Sequence, residues 1–148
     1  MRFTFRLIAM SVCLVFLFSG LNACKEKQKK EGKVEITENE YSIFKDGKFS
    51  YTLNVKGKIK NVGAVDLKNI VVTGYCRSCK ETMISNTWYV TQVVKRPEQK
   101  ASVGYLAIGA TEDFNFDGIA YYYSQSSDEP HELPEKLDVV VESFETIE

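Results

Sequence analysis

The segment Lys48-Phe49-Ser50-Tyr51-Thr52-Leu53-Asn54-Val55-Lys56-Gly57-Lys58-Ile59-Lys60 decides the fold class. Tyr51, Leu53, Val55 and Ile59 share one parity, while Thr52, Asn54, Lys56, Lys58 and Lys60 take the other. A period of two is that of a pleated strand with one face buried and its charges turned to water.

Outward from this segment the same character repeats. Residues 69–75, 87–94, 101–108, 114–123 and 137–144 are rich in β-branched and aromatic side chains, and the alternation begins at Val34. Turn-like stretches separate them: Asp46-Gly47 and residues 61–66, 95–100, 109–113 and 124–136. No segment carries a helical stripe, and no internal repeat is visible. Pro130 and Pro134 bracket an acidic loop rather than interrupting a strand. The pattern predicts an all-β domain, a single immunoglobulin-like antiparallel β-sandwich of about seven strands.

The chain has 148 residues and a formal net charge of −1. Its first residues read as an export signal: Arg2 and Arg6, an apolar run over residues 7–18, then Ser19-Gly20-Leu21-Asn22-Ala23-Cys24. The apolar run is too short to span a bilayer as a helix. Leu21-Asn22-Ala23-Cys24 resembles the lipobox of bacterial lipoproteins. That resemblance implies cleavage before Cys24, diacylglycerol on its sulfur, and often a third acyl chain on the new amino group. Two or three chains hold a protein firmly at a membrane. The expected organisation is a signal peptide over 1–23, the lipidated Cys24 with a polar tether over 24–33, and the sandwich over 34–148. Lys25 stands where aspartate would retain an enteric-type lipoprotein in the inner membrane, so in a Gram-negative source the outer membrane is expected.

Cleavage removes Arg2 and Arg6 and no acid, taking the net charge from −1 to −3. Such a chain is not basic enough to suggest a nucleic-acid partner. The tether Lys25-Glu26-Lys27-Gln28-Lys29-Lys30-Glu31-Gly32-Lys33 has no apolar residue and reads as a solvated spacer.

A second resemblance concerns the domain. Gly57-x-Ile59-x-Asn61-x-Gly63, Leu67-x-Asn69-Ile70-x-Val72, and Leu106-x-x-Gly109 followed by Phe114-x-Phe116 look like the FxLYD-type domains, covering roughly residues 48–123. Those are immunoglobulin-like sandwiches on extracytoplasmic bacterial proteins. The resemblance implies a fold and a location and brings no catalytic residues. The family's namesake motif has no clear copy here, and a Cys-x-x-Cys replaces a polar turn.

Cys13 leaves with the signal and Cys24 takes lipid, so Cys76 and Cys79 remain as an even pair in a compartment that permits disulfides. Cys76-Arg77-Ser78-Cys79 follows a strand, as in thioredoxins. Yet residues 80–86 give way to a β-branched stretch instead of a helix, and no proline is placed as those folds require. The readings are a structural disulfide closing a turn, a redox-responsive pair, or half of a metal site completed by His131, the only histidine, with Glu129 or Glu132. Asp113-x-Asn115-x-Asp117-Gly118 opens like a calcium loop, but the twelfth position is Ser124 instead of glutamate, and Phe114 and Phe116 alternate as in a strand running into a turn. Alternation also separates Tyr122 from Tyr121 and Tyr123; with Trp88, Tyr89 and Tyr105 these are candidates for an aromatic binding surface.

No Ser/His/Asp, Cys/His or paired-carboxylate constellation is legible. The expected function is a noncatalytic binding or scaffolding module of the cell envelope, without cofactor, held to the membrane through Cys24 and meeting an envelope protein or polymer. The alternatives are a thiol–disulfide protein using Cys76 and Cys79, or a metal-binding lipoprotein. An open sandwich also has strand edges that another strand can join.

Overall fold

Strands with one apolar side bury it only by facing a second sheet, and this chain builds two. The computed structural model describes residues 30–91, 94–126 and 128–147. Within them run β1 (Val34–Lys45), β2 (Ser50–Asn61), β3 (Asp66–Cys76), β4 (Trp88–Tyr89), β5 (Lys100–Leu106), β6 (Thr111–Tyr123) and β7 (Leu137–Ile147), with one 3-10 turn at Pro97–Gln99. One sheet has the order β1-β2-β6-β4 and the other β5-β3-β7, with every neighbouring pair antiparallel. The domain is an all-β sandwich of seven strands, as the alternation predicts. The expected signal peptide over 1–23, Cys24 and the first part of the expected tether lie outside the described residues.

The segment that decided the fold sits at the centre of its sheet. Leu53 and Ile59 are fully buried and Val55 nearly so, facing Leu67, Ile70 and Val72 of β3 and Phe114, Phe116, Ile119 and Ala120 of β6 in one core. On the outer face Lys56 pairs with Glu40 at 2.9 Å and Lys58 with Glu38 at 3.0 Å. Thr52, on the polar parity, is nonetheless buried, because its hydroxyl donates to Asp46 Oδ2 of the neighbouring turn at 2.5 Å. Gly57 holds a core-side position that no Cβ fits: a Cβ there would lie 2.2 Å from the Glu38 carbonyl oxygen and 2.6 Å from the Phe114 ring.

Two local expectations change. Of the described residues in 87–94 only Trp88–Tyr89 form a strand, and Lys80 bridges its outer edge in parallel, its amide on the Trp88 carbonyl and its carbonyl accepting the Val90 amide at 2.8 Å. Asp117-Gly118 is no hairpin turn. β6 runs straight through it, and the extra residues form a bulge opposite Asn54, between the pairs Leu53–Ala120 and Val55–Phe116. Gly118 takes φ +76 there and donates its amide to Asn54 Oδ1 at 3.2 Å.

The strands give the sandwich two poles. At one lie residues 30–33, the turn between β2 and β3, the β5–β6 turn and the end of β7; at the other lie the β1–β2 turn and the loops after β3 and β6. Glu31 and Lys33, placed in the tether by composition, are fastened to the first pole. The amides of Val62 and Ala64 donate to the carbonyls of Lys33 and Glu31 at 2.9 and 2.8 Å.

Asn61 organises this N-terminal pole. Fully buried, its Nδ2 donates to the Val65 and Leu106 carbonyls at 2.8 and 3.1 Å, and its Oδ1 accepts the Gly63 amide at 2.9 Å. One side chain thus closes the β2–β3 turn and ties it to the end of β5.

Candidate functional site

The loop pole gathers most residues that the sequence marked for chemistry. β3 ends at Cys76, and Cys76 and Cys79 form a disulfide that closes a four-residue loop. The loop is laced to the chain entering β7. The Arg77 amide donates to the Lys136 carbonyl at 2.8 Å, the Lys136 amide donates to Ser78 Oγ at 3.1 Å, and the Arg77 guanidinium pairs with Asp138. After Cys79 no helix follows. The Lys80 amide donates to the Trp88 carbonyl at 3.0 Å, and Asn86, at φ +59, returns the chain to β4.

Between this loop and the acidic 128–136 loop lies a cleft of about 630 Å³, lined among others by Ser78, Trp88, Tyr122, His131, Leu133 and Pro134. Trp88 forms its floor. Its ring stands 5.3 Å from that of Tyr122, and its Nε1 donates to the Glu132 carbonyl at 2.9 Å, holding the acidic loop down. The loop carries Asp128, Glu129, Glu132 and Glu135. Met83, Ile84 and Leu133, in loops at this pole, are 63%, 49% and 44% exposed.

The structure separates the other sequence candidates. His131 lines the cleft, but Cys76 and Cys79 are bonded to each other and offer no thiolates to join it. Among the described residues no three histidine, cysteine, aspartate or glutamate side chains converge as a metal site. Asp113, Asn115 and Asp117 alternate along a strand instead of curling into a loop. The aromatics divide as well. Trp88 and Tyr122 pack on the core, the Tyr121 ring lies tilted 6.1 Å from that of Tyr89 and its hydroxyl accepts a bond from Arg96 at 2.7 Å, and Tyr105 sits at the opposite pole on Asp66.

Beside the disulfide loop, Tyr75 is flanked by the Arg77 guanidinium at 5.6 Å and the Lys95 ammonium at 5.1 Å from its ring. Burial pushes the Lys95 ammonium below its ordinary value of 10.5. Behind it lies a polar node that alternation did not reveal. Gln99 is buried, its Oε1 accepts the Arg96 amide, its Nε2 donates to the Gly118 carbonyl at 2.6 Å, and its own carbonyl accepts the Thr73 hydroxyl. The only forewarning in the sequence is Pro97 two residues earlier, which favours a turn.

A second cleft, of about 550 Å³, crosses β1, β2 and β6 among Glu38, Glu40, Lys56, Lys58, Asp113 and Asn115. Its outer lysines and glutamates are already matched across the strands. Among the described residues every buried side-chain nitrogen and oxygen has a partner.

These features define a class: a seven-stranded antiparallel β-sandwich whose loop pole is closed by a short disulfide. No protein-family model, curated protein or solved structure matches the chain.

Proposed function

We propose that this protein is a lipid-anchored, extracytoplasmic binding module whose loop pole meets an envelope protein or polymer. One observation carries the reading: the chain enters the domain at one pole, while the disulfide loop, the Trp88 cleft and the exposed Met83, Ile84 and Leu133 lie at the other. The lipobox at Cys24 supplies the anchor, and Glu31 is where the domain takes hold of the chain.

Six residues lie between Cys24 and Glu31, seven chain steps that reach about 25 Å at full extension. Strands of eleven or twelve residues add about 40 Å between the poles. An upright domain therefore presents its loops roughly 40 to 65 Å from the bilayer surface. The disulfide acts as a clamp on the loop, limiting the entropy that a partner would otherwise have to remove.

Intact-mass analysis of the protein from its own membranes, without reductant, tests the anchor. The expected chain begins at a diacylglyceryl-modified Cys24 and retains the Cys76–Cys79 bond. An unlipidated chain refutes the anchor. Photo-crosslinkers placed at Met83 and at Ile108, which occupy opposite poles, test the orientation in intact cells. Adducts of one defined size at Met83 and none at Ile108 are expected; the reverse pattern overturns the reading.

A further inference from the structure

We infer that the outer face of the β5-β3-β7 sheet carries a binding site for a small monocarboxylate, held by the Lys95 ammonium. The site lies on the side of the sandwich, and the inference depends neither on the lipid anchor nor on the role of the Trp88 cleft.

β3 is the central strand of that sheet, and register sets its outward residues in rows. Val71 lies between Ser102 of β5 and Ser143 of β7, and Thr73 lies between Lys100 and Val140. Tyr75, next along the same face, pairs with Asp138. The chain that joins β4 to β5 brings Lys95 against these rows. The result is a cleft of about 530 Å³ with Val71 at its floor, Lys95, Lys100 and Ser102 from the β5 side, and Glu142 and Ser143 from β7. That volume is within the range that holds small ligands.

The charges of the cleft are unevenly matched. Lys100 Nζ holds both oxygens of Glu142, at 3.0 and 2.7 Å. The nearby acids Asp138 and Glu98 are taken by Arg77 and Arg96. Lys95 alone of the two cleft lysines has no carboxylate partner among the described residues. Its ammonium stands 5.1 Å from the centre of the Tyr75 ring. A ring face attracts a cation but leaves its three N–H donors to be used elsewhere. Burial pushes this ammonium below its ordinary 10.5, and no carboxylate acts in the other direction. A partly desolvated cation without a counter-ion is costly, and an arriving carboxylate relieves that cost.

The same inventory selects the class of ligand. Lys100 and Glu142 cancel, so one positive charge is left over and matches one carboxylate. A second negative charge on the ligand would meet Glu142. The Ser102 and Ser143 hydroxyls on either side of Val71 are suited to donate to carboxylate oxygens. Val71, only half buried, offers apolar surface to a short aliphatic body.

The test uses the purified full chain in detergent at low salt, with butyrate, malonate and butylammonium as probes. The backbone amide resonances of Val71, Ser102 and Ser143 are the readout. Butyrate should shift them saturably and butylammonium should not. Malonate should bind about tenfold more weakly than butyrate, because its second carboxylate faces Glu142. Lys95→Met should weaken butyrate binding about tenfold, the effect of losing one charge-assisted hydrogen bond, whereas Lys95→Arg should retain it. Glu142→Gln releases Lys100 as a second cation and should reverse the order of butyrate and malonate. Shifts that never saturate, butyrate binding undiminished in Lys95→Met, or malonate bound to the parent as tightly as butyrate overturns the inference.

Discussion

Replacing Asn61 by alanine removes three hydrogen bonds of a fully buried side chain at once. The Gly63 amide loses the closer of its two acceptors, keeping the Lys33 carbonyl at 3.2 Å, and the Val65 and Leu106 carbonyls lose the Asn61 donor. A neutral hydrogen bond contributes about 1 kcal/mol net, and more is lost where a buried partner is left unmatched. The expected cost is therefore about 3 kcal/mol, a large part of the roughly 5–15 kcal/mol that holds a domain together. At roughly 4 °C per kcal/mol for a domain of this size, the Tm should fall by about 12 °C. Urea unfolding followed through Trp88, the single tryptophan, should show a lower midpoint with unchanged slope. Asn61→Asp keeps an acceptor for Gly63 but cannot donate to the two carbonyls, so it should be no better than alanine. Asn115→Ala, on the exposed side of β6, should stay within about 0.5 kcal/mol of the parent. A loss below about 1 kcal/mol for Asn61→Ala, or one matching the Asn115 control, would refute the claim that this side chain holds the pole together.

Gly57→Ala should cost about 1–3 kcal/mol through overpacking against the Glu38 carbonyl and Phe114; an unchanged Tm would contradict the close approach. Joint Cys76→Ser and Cys79→Ser substitution should leave the domain folded and lower its stability by about 2 kcal/mol at most, because the closed loop is so short, a value readable from urea midpoints. The Tyr105 hydroxyl, and then the Ile108 amide, hold the Asp66 carboxyl below its ordinary 3.8. A depressed folded value means that the ionised form stabilises the fold above the unfolded value and that this contribution is lost as pH falls through the folded one. The Tm gap between the parent and Asp66→Asn should accordingly be full above about pH 5 and close progressively below about pH 4. A gap unchanged from pH 6 to pH 2 would rule this out.

The β2 segment reveals its place because its polar lysines and apolar residues alternate without interruption. Its neighbour β6 is equally periodic until the bulge at Gly118, where an Asp-Gly pair that reads locally as a hairpin turn is overridden by pairing on both sides. Residues 87–94 have the composition of a strand, yet β4 pairs with β6 only at Trp88 and Tyr89 and is bridged on its other side by Lys80, a tertiary outcome that local propensity does not encode. The candidate site divides along the same line. The turn between Cys76 and Cys79 was legible from spacing. That Trp88 would hold the acidic loop over a cleft depends on a contact across 44 positions, which no local pattern carries. The Gly-x-Ile-x-Asn-x-Gly run was visible as a motif; its meaning, a side chain serving three backbone groups, required the fold.

The clasp at Glu31 and Lys33 gives the molecule a mechanical direction. A pull between the N-terminus and a partner at the loop pole runs along β1, whose pairing with β2 spans nearly its whole length. The load is then shear, shared by many ladder bonds at once, instead of a peel that opens them one by one. The bonds from the 62–64 turn to Lys33 and Glu31 would give way first, lengthening the leash by a few residues while the sandwich stays intact.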